Sequence, residues 1–340
     1  MRNTLRIVAT VVLATAFVLT ALPAMSAVKK KAPAKRIVLG TKQLNGDQAE
    51  LGLTYTLGKT APLNVTLNSA EYSVEPIRYG KNYIVPKADE KLLVLHYTLH
   101  NPNPRDFGLR WSTFNINAVD SKDTNWRYNT SVGMEATNEM CNMSLKPGQK
   151  TKVYTAITVP AKGEIPKVMF ESGDRLVLRY DFRGKAKPLP APIADPSDAS
   201  GATALEKAPA QMGIFYRTRL LRTKLDSVAF TTEPVKGRAP KAGTRYLTII
   251  GTMKNETVNN FGVAWSTIKP RLLDADGAEI RWDGNTFYAS RDDNVNTTLE
   301  PGQELRFRHV FTVPEKVGLG SIAWTENGGR AFVYDLTQVK

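Results

Sequence analysis

The chain has 340 residues, 42% of them hydrophobic, a formal net charge of +14 and one cysteine. The length suggests about two domains, and the apolar fraction is enough for two ordinary cores, which excludes a wholly disordered chain. The single Cys141 excludes an internal disulfide, so the fold must hold by packing alone.

In chain order, Arg2 and Arg6 flank the start of an uncharged apolar run over 7–22, followed by Pro23 and the small residues Ala24, Ser26 and Ala27. This is the pattern of a signal peptide over 1–27, cleaved after Ser26 or Ala27. The run falls short of the ~20 apolar residues of a spanning helix. No Cys stands at the cleavage point, so the expected product is secreted or periplasmic and not a lipoprotein. No other segment is apolar enough to span a membrane. Residues 28–36 form a basic tail with Lys29, Lys30, Lys31, Lys35 and Arg36. It reads as a solvated tail, or as a contact for anionic wall polymer or lipid headgroups. Residues 1–36 hold seven cations and no acid, which leaves +7 on the rest.

A first β-sandwich domain is expected over 37–182. Leu93, Leu95, Tyr97 and Leu99 alternate with Val94, His96, Thr98 and His100, which is the period of a half-buried strand. Phe107, Leu109 and Trp111 share one strand face, which places Trp111 in the core. Asn101-Pro102-Asn103-Pro104 cannot continue a ladder, and Pro147-Gly148 suits a type II turn. Residues 183–212, with Pro188, Pro190, Pro192, Pro196 and Pro209 and no apolar period, read as a semi-extended linker. A second domain is expected over 213–340. It repeats the first at an offset of 154 residues: Trp265 follows Trp111, Pro301-Gly302-Gln303 follows Pro147-Gly148-Gln149, and Tyr334-Asp335 follows Tyr180-Asp181. Matches in one register over this span indicate duplication. No amphipathic helix of ordinary length appears. The fold class expected is therefore all-β, two tandem immunoglobulin-like β-sandwiches joined by a Pro/Ala-rich linker.

In both halves an aliphatic strand ending in Asn is followed by a Phe-containing strand, then Leu-x-Pro-Gly-Gln and Thr-Val-Pro. The second half adds Asp274-Ala275-Asp276-Gly277, where the first has Asp120-Ser121-Lys122-Asp123. This succession resembles the secreted telokin-like immunoglobulin-fold domains of bacteria, over roughly 60–182 and 214–340. The resemblance implies a fold and an exported location. That family is a domain of unknown function and brings no catalytic residues.

No nucleophile-elbow, zincin or phosphate-loop motif is present. Gly318-Leu319-Gly320-Ser321-Ile322-Ala323 matches the loose dinucleotide pattern but opens no helix, and reads as a turn. No enzyme activity and no cofactor is expected. Two groups of residues stand out. Trp126 and Tyr128, with Trp282, Phe287 and Tyr288, offer rings that could stack on sugar faces. Met134, Met140, Cys141 and Met143 offer soft donors for Cu(I), although packing is the favoured reading, since Val295 replaces Cys141 one repeat later, which suggests a small apolar slot. His309 falls on an apolar face and reads as a core or rim histidine. The leading expectation is an exported non-catalytic binding or adhesion module for a glycan, cell-wall polymer or surface protein, with no nucleic-acid partner. The alternatives are a structural envelope accessory protein and a copper metallochaperone.

Overall fold

The computed structural model describes residues 37–38, 41–42, 48–127, 131–173 and 176–339. The expected signal peptide and basic tail, 1–27 and 28–36, lie outside the described residues. Every element in the described residues is a β-strand, and none of them is a helix able to cross a membrane.

The long alternating runs form the centre of each half. In the first, Glu90–His100 lies between Leu63–Ser73 and Lys150–Pro160, antiparallel to both. In the second, Thr244–Asn255 lies between Leu221–Thr231 and Glu304–Pro314 in the same way. The outer strand slips register at matching places, between Leu67 and Ser69 and between Leu225 and Ser227. A second sheet covers each centre. Asn115–Val119, Lys167–Glu171 and Val177–Asp181 form the first, and Ile268–Asp274, Leu319–Glu326 and Ala331–Asp335 the second. Rings interlock between the sheets: Tyr97 meets Phe170 edge-on at 5.4 Å, and Phe307 meets the fully buried Trp324 at 5.2 Å. Close ring packing of this kind adds to the area that each aromatic buries.

The turns follow the sequence reading. Gly148 and Gly302 take positive φ after their prolines, and Gln149 and Gln303 close the turns onto the carbonyls of Lys146 and Glu300. Gly277 takes positive φ in the hairpin after Asp274. The strand-ending asparagines have a specific task. Asn101 and Asn255 are fully buried. Asn101 Nδ2 donates to Arg105 O and Leu145 O, both at 2.8 Å. Asn255 Nδ2 donates to Asn259 O at 2.8 Å and Leu299 O at 2.9 Å. Each amide thus satisfies carbonyls that the broken ladder leaves unpaired. One motif is placed differently from expectation. Gly320 lies within the strand Leu319–Glu326, not in a turn, beside a register shift where a Cβ would meet the Asp274 carbonyl at 2.3 Å.

The stretch read as a semi-extended linker is packed against both halves. Leu189, Ile193, Ala202 and Ala204 are buried. Lys207–Ala210 joins the second half's sheet, parallel to Ala331–Asp335. Its apolar residues are too sparse to set up a period, yet each finds a site. The two halves also touch directly. Glu75 accepts from Arg217 at 2.9 Å and Arg222 at 3.3 Å, and Glu256 accepts from the same two at 2.9 and 2.6 Å. Val258 N–H donates to Tyr83 Oη at 2.9 Å, and Arg330 Nη2 donates to Glu90 O at 3.0 Å.

Candidate functional site

The short strands Phe107–Arg110 and Phe261–Ala264 each end in a Trp-Ser-Thr turn. Thr113 N–H donates to Arg110 O at 3.0 Å, while Thr113 Oγ1 accepts from Arg110 N at 2.9 Å. Thr267 makes the same pair with Ala264, at 3.0 and 2.8 Å. The turn begins at the tryptophan, so strand alternation no longer governs where the ring goes. Trp111 and Trp265 are each 45% exposed. This corrects the expectation that both lie in the core. The signal in the sequence was the Trp-Ser-Thr repeated at the end of a short strand in both halves.

In the second half the Trp265 turn lies against the 284–286 loop, which borders a cavity. Thr286 Oγ1 donates to Trp265 O at 2.5 Å, which ties the turn to the following loop. Gly284 takes positive φ, and a Cβ there would come within 3.9 Å of the Trp265 ring. Asp283 and Asn285, on either side of that glycine, line a cavity of about 570 Å³ with Lys236, Arg238, Tyr246 and Phe287. A cavity lined by a carboxylate, an amide, cations and aromatic side chains has the composition of a polar-ligand site.

The residues expected to form a sugar platform are placed as follows. Trp282 is half-buried, its indole N–H donating to Asn285 O at 3.2 Å and its ring edge-on to His309. It supports the loop that carries Asp283 and Asn285. Phe287 is only 4% exposed, with Lys236 Nζ 4.9 Å from its ring centre, and it contributes to the cavity wall rather than an open stacking face. Tyr288 is half-buried with the Arg291 guanidinium 3.8 Å over its ring. A cation stacked on a ring occupies the face a sugar would need. Trp126 is half-buried and donates to Asp120 Oδ2 at 3.0 Å. The indole N–H and the amides of Thr124 and Lys122 hold the Asp120 carboxyl below its usual range. Asp120 in turn lines a groove of about 830 Å³ with Lys167, Arg179 and Asp181. Tyr128 lies outside the described residues.

The soft-donor group is not gathered around one point by its burial. Cys141 is fully buried, and burial pushes its thiol up to about 11, so the metal-free side chain is a protonated thiol at neutral pH. Its amide donates to Val132 O at 2.6 Å, as Val295 N donates to Thr286 O at 2.8 Å one repeat later. Met134 and Met143 pack on the core, while Met140 is 41% exposed. His96 stands with Nδ1 3.0 Å from Glu135 and Nε2 3.8 Å from Glu71. The carboxylates face opposite nitrogens and cannot share one ion with the ring. Among the described residues no group of three His, Cys, Asp or Glu side chains is placed to hold a metal.

No known family and no curated protein matches the chain by sequence. Several solved structures resemble it in shape. An uncharacterized β-sandwich protein from Clostridium difficile 630 is 15% identical, with 40% of this chain and 93% of that one covered, at a TM-score of 0.32. The secreted protein MPT63 from Mycobacterium tuberculosis is 16% identical, covering 39% of this chain and 95% of its own, at 0.30. The exo-chitosanase CsxA from Amycolatopsis orientalis is 14% identical over 71% of this chain and 25% of that one, at 0.20.

Proposed function

We propose that the chain is an exported, non-catalytic binding module, built as a tandem duplication of a telokin-like immunoglobulin domain, whose ligand is a glycan or cell-wall polymer. The signal-peptide pattern over 1–27 supports export. The observation that carries the binding assignment is the matched display of Trp111 and Trp265, each on a threonine-pinned turn and each 45% exposed. A planar indole stacks on the apolar face of a pyranose, and planar polar groups such as those of Asp283 and Asn285 pair with its hydroxyls. Two such turns on one chain favour a ligand that repeats.

The test is co-sedimentation of the mature protein with purified cell-wall polymer and insoluble polysaccharides, at low and high salt. Retention should resist salt. It should weaken about 5–10-fold in Trp265→Ala, as expected for loss of one stacked ring, and further when Trp111→Ala is added. Retention unchanged in the double variant, or abolished by salt alone, refutes this assignment.

A further inference from the structure

In the first half, the outer edge of Leu63–Ser73 is covered by the chain's own downstream segment. Lys187 N–H donates to Ala70 O at 2.8 Å, and Lys187 O accepts from Tyr72 N at 3.0 Å. Further along, Leu189 and Ile193 are buried, and Ala204 N–H donates to Ala161 O at 2.9 Å. Beneath this cover lies Lys91, which is fully buried. Its Nζ donates to the carbonyls of Ala161, Gly163 and Ala202 and stands 4.4 Å over the Tyr72 ring. Covered in this way, Ala70 is 4% exposed and Tyr72 is 6% exposed.

The second half repeats the frame without the cover. Val228 pairs with Ile249 and Phe230 with Leu247, as Ala70 pairs with Leu95 and Tyr72 with Leu93. Arg245 stands one repeat after Lys91, its guanidinium 3.3 Å over the Phe230 ring. Among the described residues, Tyr216–Arg217 and the Gly213 amide occupy this edge only as far as Leu225. Val228 and Phe230 are left half-exposed, and Ala229 between them is exposed. The shared register turns Val228 C=O and Phe230 N–H outward, at the positions where Ala70 and Tyr72 hold Lys187. Arg245 Nε is buried without a partner, and a buried donor of that kind calls for an acceptor.

We infer that the edge at 228–231, with Arg245, is a docking site for an extended Pro- and Ala-rich peptide segment of a separate chain, carrying an aliphatic anchor. The chemistry of the occupant follows from residues 185–205, which fill the same frame in the first half. Main-chain bonds to Val228 and Phe230 add it to the sheet edge, and an aliphatic side chain takes the place that Leu189 fills. Arginine in place of lysine suits an incoming backbone, because its fork holds several donors in one plane and stays charged beneath a cover.

The probe is a fluorescein-labelled peptide with the sequence of residues 185–205, titrated into the intact chain and read by anisotropy. Saturable binding is expected, weaker by about tenfold or more in Arg245→Gln and in Val228→Asp, a loss of ~1.4 kcal/mol or more. Both variants are checked for unchanged melting, and hydrogen exchange locates the site: adding the peptide should protect amides at 226–231. No saturable binding overturns the inference. So does binding that protects 68–73 instead, because the peptide would then be displacing the chain's own segment.

Discussion

His309 is a core position whose charge state separates the folded from the unfolded chain between about pH 4 and 7. It sits on Glu304–Pro314, is fully buried, and is ringed by Trp282, Phe307 and Trp324 at 5.4, 5.2 and 5.9 Å. Nδ1 lies 3.3 Å from Thr286 Oγ1, and Nε2 is buried without a partner. Burial pushes its pKa down to about 3. In the unfolded chain the ring titrates near the ordinary value of about 6.5. Above that pH neither state is protonated and His309 adds no pH dependence. Below it the unfolded state gains a proton that the folded state refuses, so stability falls by ~1.4 kcal/mol per pH unit until the folded ring titrates. Between pH 7.5 and 4.5 the loss from this residue is about 3 kcal/mol. The perturbation is His309→Gln, which keeps a polar group near Thr286 and cannot titrate. Urea unfolding of both proteins at the two pH values, followed by tryptophan fluorescence, reads the second half directly, because Trp282 and Trp324 flank the site. The variant should be the less stable at pH 7.5, and the gap should close by about 3 kcal/mol at pH 4.5. A gap that is equal at both values refutes a neutral His309 in the folded core.

Three further outcomes follow from particular contacts. Glu326 is buried and accepts from Leu220 N at 3.0 Å, Leu221 N at 2.9 Å and Thr218 Oγ1 at 3.2 Å. Glu326→Ala takes the acceptor from both amides, while Thr218 Oγ1 keeps Leu221 O at 3.2 Å, and should cost about 2–4 kcal/mol in urea unfolding, with Glu326→Gln costing less. A Cβ on Gly251 would stand 2.2 Å from the Trp324 ring, so Gly251→Ala should lower stability by about 1–3 kcal/mol or more, seen as a drop in melting temperature. Lys91→Met removes the donor shared by the Ala161, Gly163 and Ala202 carbonyls. It should raise the rate of proteolysis within 183–206 well before the rest of the chain opens; an unchanged cleavage rate would show that the segment holds without it.

Much of the fold was legible because its determinants are local and repeated. Alternation marks Glu90–His100 and Thr244–Asn255, and Pro-Gly marks the turns after Lys146 and Glu300. The site was less legible. Trp111 continues the alternation of Phe107 and Leu109, so a period of two assigns it inward, whereas the strand ends at Arg110 and a threonine hydroxyl three residues on turns the chain outward. Phe287 illustrates the reverse: it stands in a polar, arginine-rich stretch, and only the tertiary fold buries it. The packing of 183–212 depends on isolated apolar residues meeting distant surfaces, Leu189 and Ile193 among them, which no short sequence window contains. Lys91 follows Asp89 and Glu90 at the start of its strand, so nothing local marks it as buried.

The segment between the halves has a consequence for how two turns on one chain meet one ligand. Residues 187–204 belong to the first sandwich and Lys207–Ala210 to the second, which leaves almost no slack between them, and Glu75, Arg217, Arg222 and Glu256 close the seam. These contacts hold Trp111 and Trp265 on halves that are joined by a packed segment and not by a loose tether. On the proposed reading, a polymer whose repeat matched the separation of the two rings would engage both turns, and one with a different spacing would engage a single turn. Under the proposed function, a pair held in this way would act as a ruler for its ligand, where a leash would accept any spacing within reach.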